Sequence, residues 1–201
     1  MQSLKLQDLT GFNNTGNICV WPSEEVLSGY CLENPHLFKD KNVLELGAGM
    51  TGLAGLIVAQ TCSPKHVLIT DGNENSIENL DIVVNENKRL ELIEQDIASC
   101  KLVKWANGSE DLDMDYDVII CADCLFFDEG RPELLECLKK KLKAGGTAII
   151  VAPSRSGTFE VFFVALKSPP QEKVAKIKNV GIKILRKLCF LQLFPGADFW
   201  I

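Results

Sequence analysis

Short apolar runs alternate with longer amphipathic segments through the middle of the chain. Runs of mostly apolar residues, bounded by glycine or polar residues, predict buried strands at 42–46, 66–70, 101–105, 116–122 and 146–152, of which 101–105 is the weakest. The segments between and before them predict helices at 23–32, 52–60, 74–87 and 132–142. This alternation predicts an α/β fold with a parallel sheet covered by helices on both faces.

Chemistry-bearing residues follow the predicted strands. Ligands of such folds bind beyond the carboxyl ends of the strands. Gly47, Asp71, Trp105 and Asp123 all stand at such ends, so we expect them to lie along one edge of the sheet.

The segment ELGAGMTG at 45–52 is a glycine-rich turn between a strand and a helix. Gly47, Gly49 and Gly52 fit a nucleotide-binding turn, in which the backbone approaches the ligand closely. A nicotinamide enzyme, or a tight turn without a ligand, fits the glycines as well. Glu45 favours S-adenosylmethionine, because a carboxylate repels a pyrophosphate but can hold the ammonium end of that cofactor, directly or through water.

For each of four more residues, the sequence allows either a functional or a structural role. Asp71 is suited to accept hydrogen bonds from a ribose diol, or to cap the following helix. Trp105 offers a flat face for adenine, or is a core tryptophan. Trp21 closes the methionine end of the cofactor, or packs the first helix. Asp123 can orient an incoming amine and help it lose its proton, since free lysine titrates near 10.4; otherwise it caps a loop or pairs with a lysine.

Composition narrows the class of protein. The 201 residues fit one domain, and no apolar run approaches the roughly 18 residues of a membrane span. The N-terminal stretch lacks the features of a signal peptide, so we expect an intracellular soluble protein. We further expect a monomer in the cytoplasm, with the nucleus as a second location. The eight cysteines are scattered and read as reduced core thiols, and no metal site is expected despite Cys121 and Cys124.

The net charge of −6 is unevenly distributed, because residues 161–201 hold seven basic and two acidic side chains. An acidic body argues against nucleic-acid binding. The basic tail is a solvated face or a contact for an acidic partner.

Together these residues resemble the seven-strand lysine methyltransferases, and within them the branch that acts on calmodulin. The similarity runs through VWPSEEVL (20–27), ELGAGMT (45–51), TDGNE (70–74), 99–105 and CADCLF (121–126). It implies a Rossmann-like S-adenosylmethionine-dependent fold and methylation of a calmodulin lysine, up to the trimethyl form. The resemblance assigns the cofactor site to Trp21, Gly47, Ala48, Gly49, Asp71, Trp105 and Ala122. It places Asp123 in the acidic position of a motif whose aromatic is here Phe126, so that no phenol is available there.

The resemblance also suggests boundaries. Residues 1–17 are expected to be the end of an N-terminal extension, 18–157 the methyltransferase domain and 158–201 a divergent basic tail. The family completes its sheet in the tail region with a helix and an antiparallel strand pair, so we expect a sheet incomplete at its C-terminal strands. A variant transcript and a divergent tail both explain this pattern.

Three functions remain open from the sequence. The first is a protein-lysine methyltransferase, and the second is a nicotinamide-dependent reductase. A Tyr-x-x-x-Lys proton donor would favour the reductase, but neither Tyr30 nor Tyr116 is followed by such a lysine. The third is a non-catalytic binding protein that keeps the fold.

Overall fold

The computed structural model describes residues 19–106, 108–153 and 181–184, with the backbone alone at 108, 109 and 181–184. The predicted tail 158–201 therefore lies mostly outside the described residues, as does the segment 1–17. Within the described part, no helix is both long and apolar enough to cross a membrane.

Six parallel strands form one sheet in the described part of the chain. They are β1 (Asn42–Leu46), β2 (His66–Asp71), β3 (Ala98–Leu102), β4 (Tyr116–Ala122), β5 (Leu142–Val151) and β6 (Gly181–Ile184). The order is β3-β2-β1-β4-β5-β6, so the direction of winding reverses between β1 and β4. Ligands of open α/β sheets bind at such a reversal, beyond the carboxyl ends of the strands.

The helices are α1 (Pro22–Glu33), α2 (Leu53–Thr61), α3 (Glu74–Arg89), the single-turn α4 (Gly108–Asp111) and α5 (Gly130–Lys141). A short 3₁₀ turn, Pro35–Leu37, follows α1. Helices α1, α2 and α3 bury residues against one face of the sheet, and α5 buries its apolar residues against the other. The predicted α/β architecture is confirmed.

Successive side chains of β1 point alternately to the two faces of the sheet. Val43 packs with the cluster under α1, α2 and α3, whereas Leu44 and Leu46 pack with the cluster under α5. Because strand side chains alternate between faces, the side chain of Glu45 projects towards α1 and α2. All five β1 residues are buried, as expected for the central strand of a parallel sheet covered on both sides.

Two predicted strands have different bounds in the structure. The third strand was predicted at 101–105, but β3 ends at Leu102, which pairs with Asp71, the last residue of β2. The β3 ladder stops where its partner stops, and Trp105 therefore lies in a turn. The fifth strand was predicted to start at 146, but β5 starts at Leu142 and passes through Gly145, whose φ is +79°. The β4–β5 register shifts between Tyr116 and Val118, which accommodates the irregularity.

The tail contributes one strand that the sequence did not reveal. β6 pairs with β5 in parallel, from Gly181 opposite Thr147 to Ile184 opposite Ile150. The antiparallel pair that closes the sheet in the resembled family is not among the strands of the described residues.

Candidate cofactor site

The glycine turn after β1 is built from backbone in left-handed conformation. Gly47, Gly49 and Gly52 have φ of +71°, +61° and +51°. The Ala48 N–H donates to the Thr70 carbonyl at 2.9 Å, which holds the turn against the end of β2. Residues with a Cβ rarely adopt such φ values, so the glycines are required by the turn itself.

Asp71 joins the end of β2 to this turn. Its Oδ2 accepts a hydrogen bond from the Gly49 N–H at 2.8 Å, and its Oδ1 accepts one from the Asn73 N–H at 2.9 Å. Burial raises the pKa of the Asp71 carboxyl, and the N–H donors of Asn73, Gly49 and Gly72 oppose that rise. The Ser76 side chain also hydrogen-bonds to this carboxyl, so most of its acceptor sites are taken by the chain itself.

The alternative prediction, in which Asp71 is the N-cap of α3, is wrong. The N-cap of α3 is Asn73, whose side chain accepts from the Ser76 N–H at 3.2 Å. Asp71 instead fixes the glycine turn, and its contact with a ribose stays a prediction.

Trp105 and Cys124 lie against Gly47. A methyl group at Gly47 would be 2.7 Å from the Cys124 Sγ and 3.2 Å from the Trp105 Cζ2. Trp105 is half-buried and also packs on the apolar cluster under α5. The structure therefore brings the indole to the turn, as predicted, while part of it also serves the core.

Glu24 and Glu45 meet at the first turn of α2. Glu24 Oε1 accepts from the Ala54 N–H at 2.7 Å, and Glu45 Oε2 accepts from the Gly55 N–H at 3.1 Å. The N-cap residue Gly52 offers no side chain, so carboxyl groups from α1 and β1 satisfy N–H groups that a helix leaves open at its start. Glu24 is 7% exposed and Glu45 is 1% exposed.

The two carboxyl groups affect each other strongly. Burial raises the pKa of Glu45 well above its ordinary value, and the charge of Glu24 raises it further. Burial also raises the pKa of Glu24, opposed by the N–H donors of Ala54 and Leu53 and by its hydrogen bond with Glu45. The described contacts of the Glu45 carboxyl are with Glu24 and Gly55, so its contact with a cofactor ammonium stays a prediction.

This arrangement decides between two cofactor classes. A dinucleotide of the nicotinamide type places its pyrophosphate on the N–H groups of the helix that follows the glycine turn. In this protein those donors at Ala54 and Gly55 are taken by two buried carboxyl groups of the chain itself. A pyrophosphate would meet occupied donors and like charge, whereas S-adenosylmethionine carries no phosphate. The glycine turn and Asp71 therefore fit S-adenosylmethionine.

The other predicted site residues flank the same edge. Trp21 is the extended N-cap residue of α1, three positions before Glu24, whose carboxyl reaches the first turn of α2. Ala122 ends β4 beside Val151 of β5. Asp123 follows with φ of +49°, and its N–H donates to the Val151 carbonyl at 2.8 Å. Aspartate is among the residues that adopt this left-handed conformation more readily than most, and Asp40 shares it with φ of +57°.

The cysteines of the described residues are unpaired, and five of them are buried: Cys31, Cys62, Cys121, Cys124 and Cys137. The Cys124 Sγ lies 3.4 Å from the Leu46 carbonyl oxygen and 3.2 Å from that of Ala122. A hydrogen bond with Cys121 and burial raise the pKa of Cys124, so it is a thiol of low reactivity. No group of three or more metal-ligating side chains comes together in the part of the chain that the structure describes.

Residues 2–169 match the sequence profile of a family described as lysine methyltransferase. The chain belongs to this lysine methyltransferase family. The match extends beyond the predicted domain 18–157 in both directions. S-adenosylmethionine, predicted from the sequence, is the cofactor that this family membership assigns to the chain.

Similar proteins agree on lysine methylation but differ in name. The calmodulin-lysine N-methyltransferase of Arabidopsis thaliana is 31% identical over 83% of this chain and 55% of its own length. The mouse protein-lysine N-methyltransferase EEF2KMT is 28% identical over 63% of this chain and 40% of its own. The chain thus spans about half the length of the curated relatives it matches.

A solved structure supports the fold. The S-adenosylmethionine-dependent O-methyltransferase of Thermotoga maritima has a TM-score of 0.53 and 18% identity, covering 74% of this chain and 50% of its own. At this identity the likeness concerns the methyltransferase fold alone, which is the fold predicted from the sequence.

Three residues of this methyltransferase site were missed by the sequence analysis. Glu24 and Gly55 build the carboxyl pair with Glu45, and the Asn79 amide donates to the Met50 carbonyl at 2.7 Å, which fastens the turn to α3. Gly55 left a signal, since a glycine inside a short apolar helix asks for a packing reason. Glu24 resembled an ordinary first-turn acid, and Asn79 an exposed helix residue, so neither could be found from its position.

Proposed function

We propose that this chain is an S-adenosylmethionine-dependent protein-lysine N-methyltransferase whose substrate is a lysine of calmodulin, methylated up to the trimethyl form. Family membership supports lysine methylation, and the 31% identical relative from Arabidopsis supports calmodulin. The motifs VWPSEEVL and CADCLF support the same branch.

The observation that carries the proposal is the occupation of the α2 N-terminus by Glu24 and Glu45. It removes the phosphate-binding feature on which the nicotinamide alternative depends, while the left-handed glycine turn and Asp71 remain. What is left fits a cofactor with an adenosine and no phosphate.

The reaction requires little of the protein beyond placement. When bound, S-adenosylmethionine supplies a methyl group on a sulfonium, which is already a good leaving group. The chain has to hold a neutral amine in line with it and exclude water. Asp123 stands at the switch point after β4, where its carboxylate can orient a lysine amine and take up its proton.

Cofactor choice is tested by thermal unfolding of the purified protein with each ligand. S-adenosylmethionine and S-adenosylhomocysteine are expected to raise the melting temperature, because a ligand that binds only the folded state stabilises it. NAD is expected to leave the melting temperature unchanged. Stabilisation by NAD alone would contradict the assignment.

The role of Asp123 is tested with Asp123→Asn. Asparagine is nearly isosteric and tolerates left-handed backbone, so the fold should persist. Methyl transfer to calmodulin in single-turnover experiments at saturating cofactor is expected to fall by roughly 100- to 10,000-fold, the range of a general base. Asp40→Asn is the matched control, since Asp40 is exposed, precedes β1 and has φ of +57°.

Calorimetry of Asp123→Asn with S-adenosylmethionine separates chemistry from binding. Cofactor affinity close to that of the wild type, with transfer reduced, supports amine positioning. Affinity that falls in step with the rate would place Asp123 in the cofactor site instead. An unchanged rate would make it a structural residue.

A second candidate is a non-catalytic member of the family that keeps the cofactor fold. The basic tail at 158–201, which diverges from the resembled family, favours it. Tight cofactor binding without transfer to calmodulin, or to any protein of a calmodulin-free cell extract, would support this candidate. Transfer to a protein of the extract alone would keep the reaction and replace the substrate.

A further inference from the structure

The carboxyl groups of Glu24 and Glu45 form a pair that the reaction itself does not require. Both side chains are buried, and both accept N–H groups of the first turn of α2. The second oxygen of Glu45, Oε1, is buried and accepts no hydrogen from any N–H or O–H group of the described residues. A buried carboxylate oxygen without a hydrogen-bond donor destabilises the folded protein if the group is ionised. If the oxygen carries a proton, it can instead donate a hydrogen bond to a neighbouring acceptor.

Among the described residues, no cation acts on either carboxyl group to compensate two charges. The other titratable groups that interact electrostatically with the pair are thiols: Cys31 of α1, Cys100 of β3, Cys121 of β4 and Cys124 just beyond β4. The helix start supplies partial positive charge equivalent to roughly half an elementary charge, which suits one anion. Two buried carboxylates side by side cannot both ionise at low cost.

We infer that Glu24 and Glu45 share one proton, with Glu45 as the acid that donates to the Glu24 carboxylate, and that this bond fastens α1 and its N-cap residue Trp21 to the glycine turn. Glu24 lies on α1 and Glu45 on β1, and each reaches α2, so the bond joins three elements at one point. Both residues are positioning residues. Loss of the proton sets two anions against each other and loosens α1 from the cofactor turn.

The shared proton gives the protein a characteristic pH dependence. The pKa of Glu45 is raised by burial and by Glu24, whereas an unfolded glutamate titrates at about 4.3. Above pH 4.3 the unfolded chain releases this proton while the folded protein keeps it. The unfolding equilibrium constant therefore rises with pH, by up to about tenfold per pH unit, until the pair itself ionises.

Equilibrium urea unfolding from pH 4 to 9 tests this with three variants. Glu45→Gln is expected to lose this pH-dependent rise, because the amide mimics the protonated acid and still donates to Glu24. Glu24→Gln is expected to end the rise at a lower pH, since the charge of Glu24 is gone and burial remains. Glu25→Gln, on the exposed side of the same helix, is the control and should keep the wild-type slope. Equal slopes in wild type and Glu45→Gln would overturn the inference.

A direct measurement covers the case in which Glu45→Gln does not fold. The side-chain carboxyl carbon of Glu45 in the ¹³C-glutamate-labelled wild type should titrate above the ordinary glutamate range, and that of Glu24 should report the same event. A Glu45 signal that titrates near 4.3 would refute the shared proton. Neither readout needs cofactor or substrate, so their outcome is independent of the proposed methyl transfer.

Cofactor binding distinguishes the pair from an ammonium site. With a shared proton, the affinity of the wild type for S-adenosylmethionine should fall at alkaline pH as the pair ionises and α1 loosens. If Glu45 instead binds the ammonium as an anion, Glu45→Gln should lose tenfold or more in affinity while the unfolding slope stays that of the wild type. That combination would overturn the inference.

Discussion

Replacing Gly55 by alanine is expected to destabilise the protein, although the same change inside an unconstrained helix is stabilising by about 0.5–1 kcal/mol. A Cβ at Gly55 would lie 2.3 Å from Glu45 Oε2 and 2.8 Å from the Ile69 Cγ1. Neither neighbour has room to move, because Glu45 is 1% exposed and Ile69 is fully buried. The new methyl group therefore displaces the carboxyl from the helix start.

The magnitude follows from two costs and one gain. Overpacking a core position costs about 1–3 kcal/mol, and a buried hydrogen-bonding group left without its partner costs about 1–3 kcal/mol. The gain in helix propensity offsets about 1 kcal/mol of this. We expect a net loss of roughly 1–5 kcal/mol in the free energy of unfolding.

Equilibrium urea unfolding followed by circular dichroism measures this loss, with Gly29→Ala as the matched control. Gly29 lies in α1, and a Cβ there would have no heavy atom within 4 Å. Gly29→Ala should therefore gain about 0.5–1 kcal/mol. A Gly55→Ala protein that gains stability as Gly29→Ala does would refute the tight packing of Glu45 against α2.

Two further predictions concern the glycine turn. Asp71→Ala leaves the Gly49 and Asn73 N–H groups without their acceptor, so it should lower the free energy of unfolding by about 1–3 kcal/mol. Calorimetry should also show weaker S-adenosylmethionine binding, and unchanged values in both measurements would refute the role of Asp71. Gly47→Ala should weaken cofactor binding, because the backbone is strained and the new methyl group contacts the Cys124 Sγ. Adding Cys124→Ala should restore part of the lost affinity, whereas purely additive effects of the two substitutions on affinity would contradict the contact.

The sequence by itself determined the central strands. β1 (Asn42–Leu46) and β4 (Tyr116–Ala122) have the bounds that their apolar runs predicted, because strands buried on both faces must be apolar throughout and glycine or polar residues end them. The glycine turn followed for the same reason, since its left-handed backbone leaves a visible pattern of glycines.

Pairing with a neighbouring strand determined where β3 ends and where β5 begins. The run 101–105 looks like a strand in isolation, but β3 stops at Leu102 because β2 offers no partner beyond Asp71. Likewise, Gly145 and Gly146 suggest a turn, yet pairing with β4 draws both into β5 as an irregular stretch. Local sequence cannot show where a neighbouring strand ends.

The carboxyl pair was decided by tertiary structure alone. The sequence suggested Glu45 as a charged ligand for the ammonium end of the cofactor, since a carboxylate there repels a pyrophosphate. Which partner it has depends on α1, and Glu24 is thirty residues from Ala54, whose N–H it accepts. The packing of α1 on α2 brings the second carboxyl to the first at the start of a helix without a side-chain cap. Burial and proximity, which have no local signature, then set the charge of both groups.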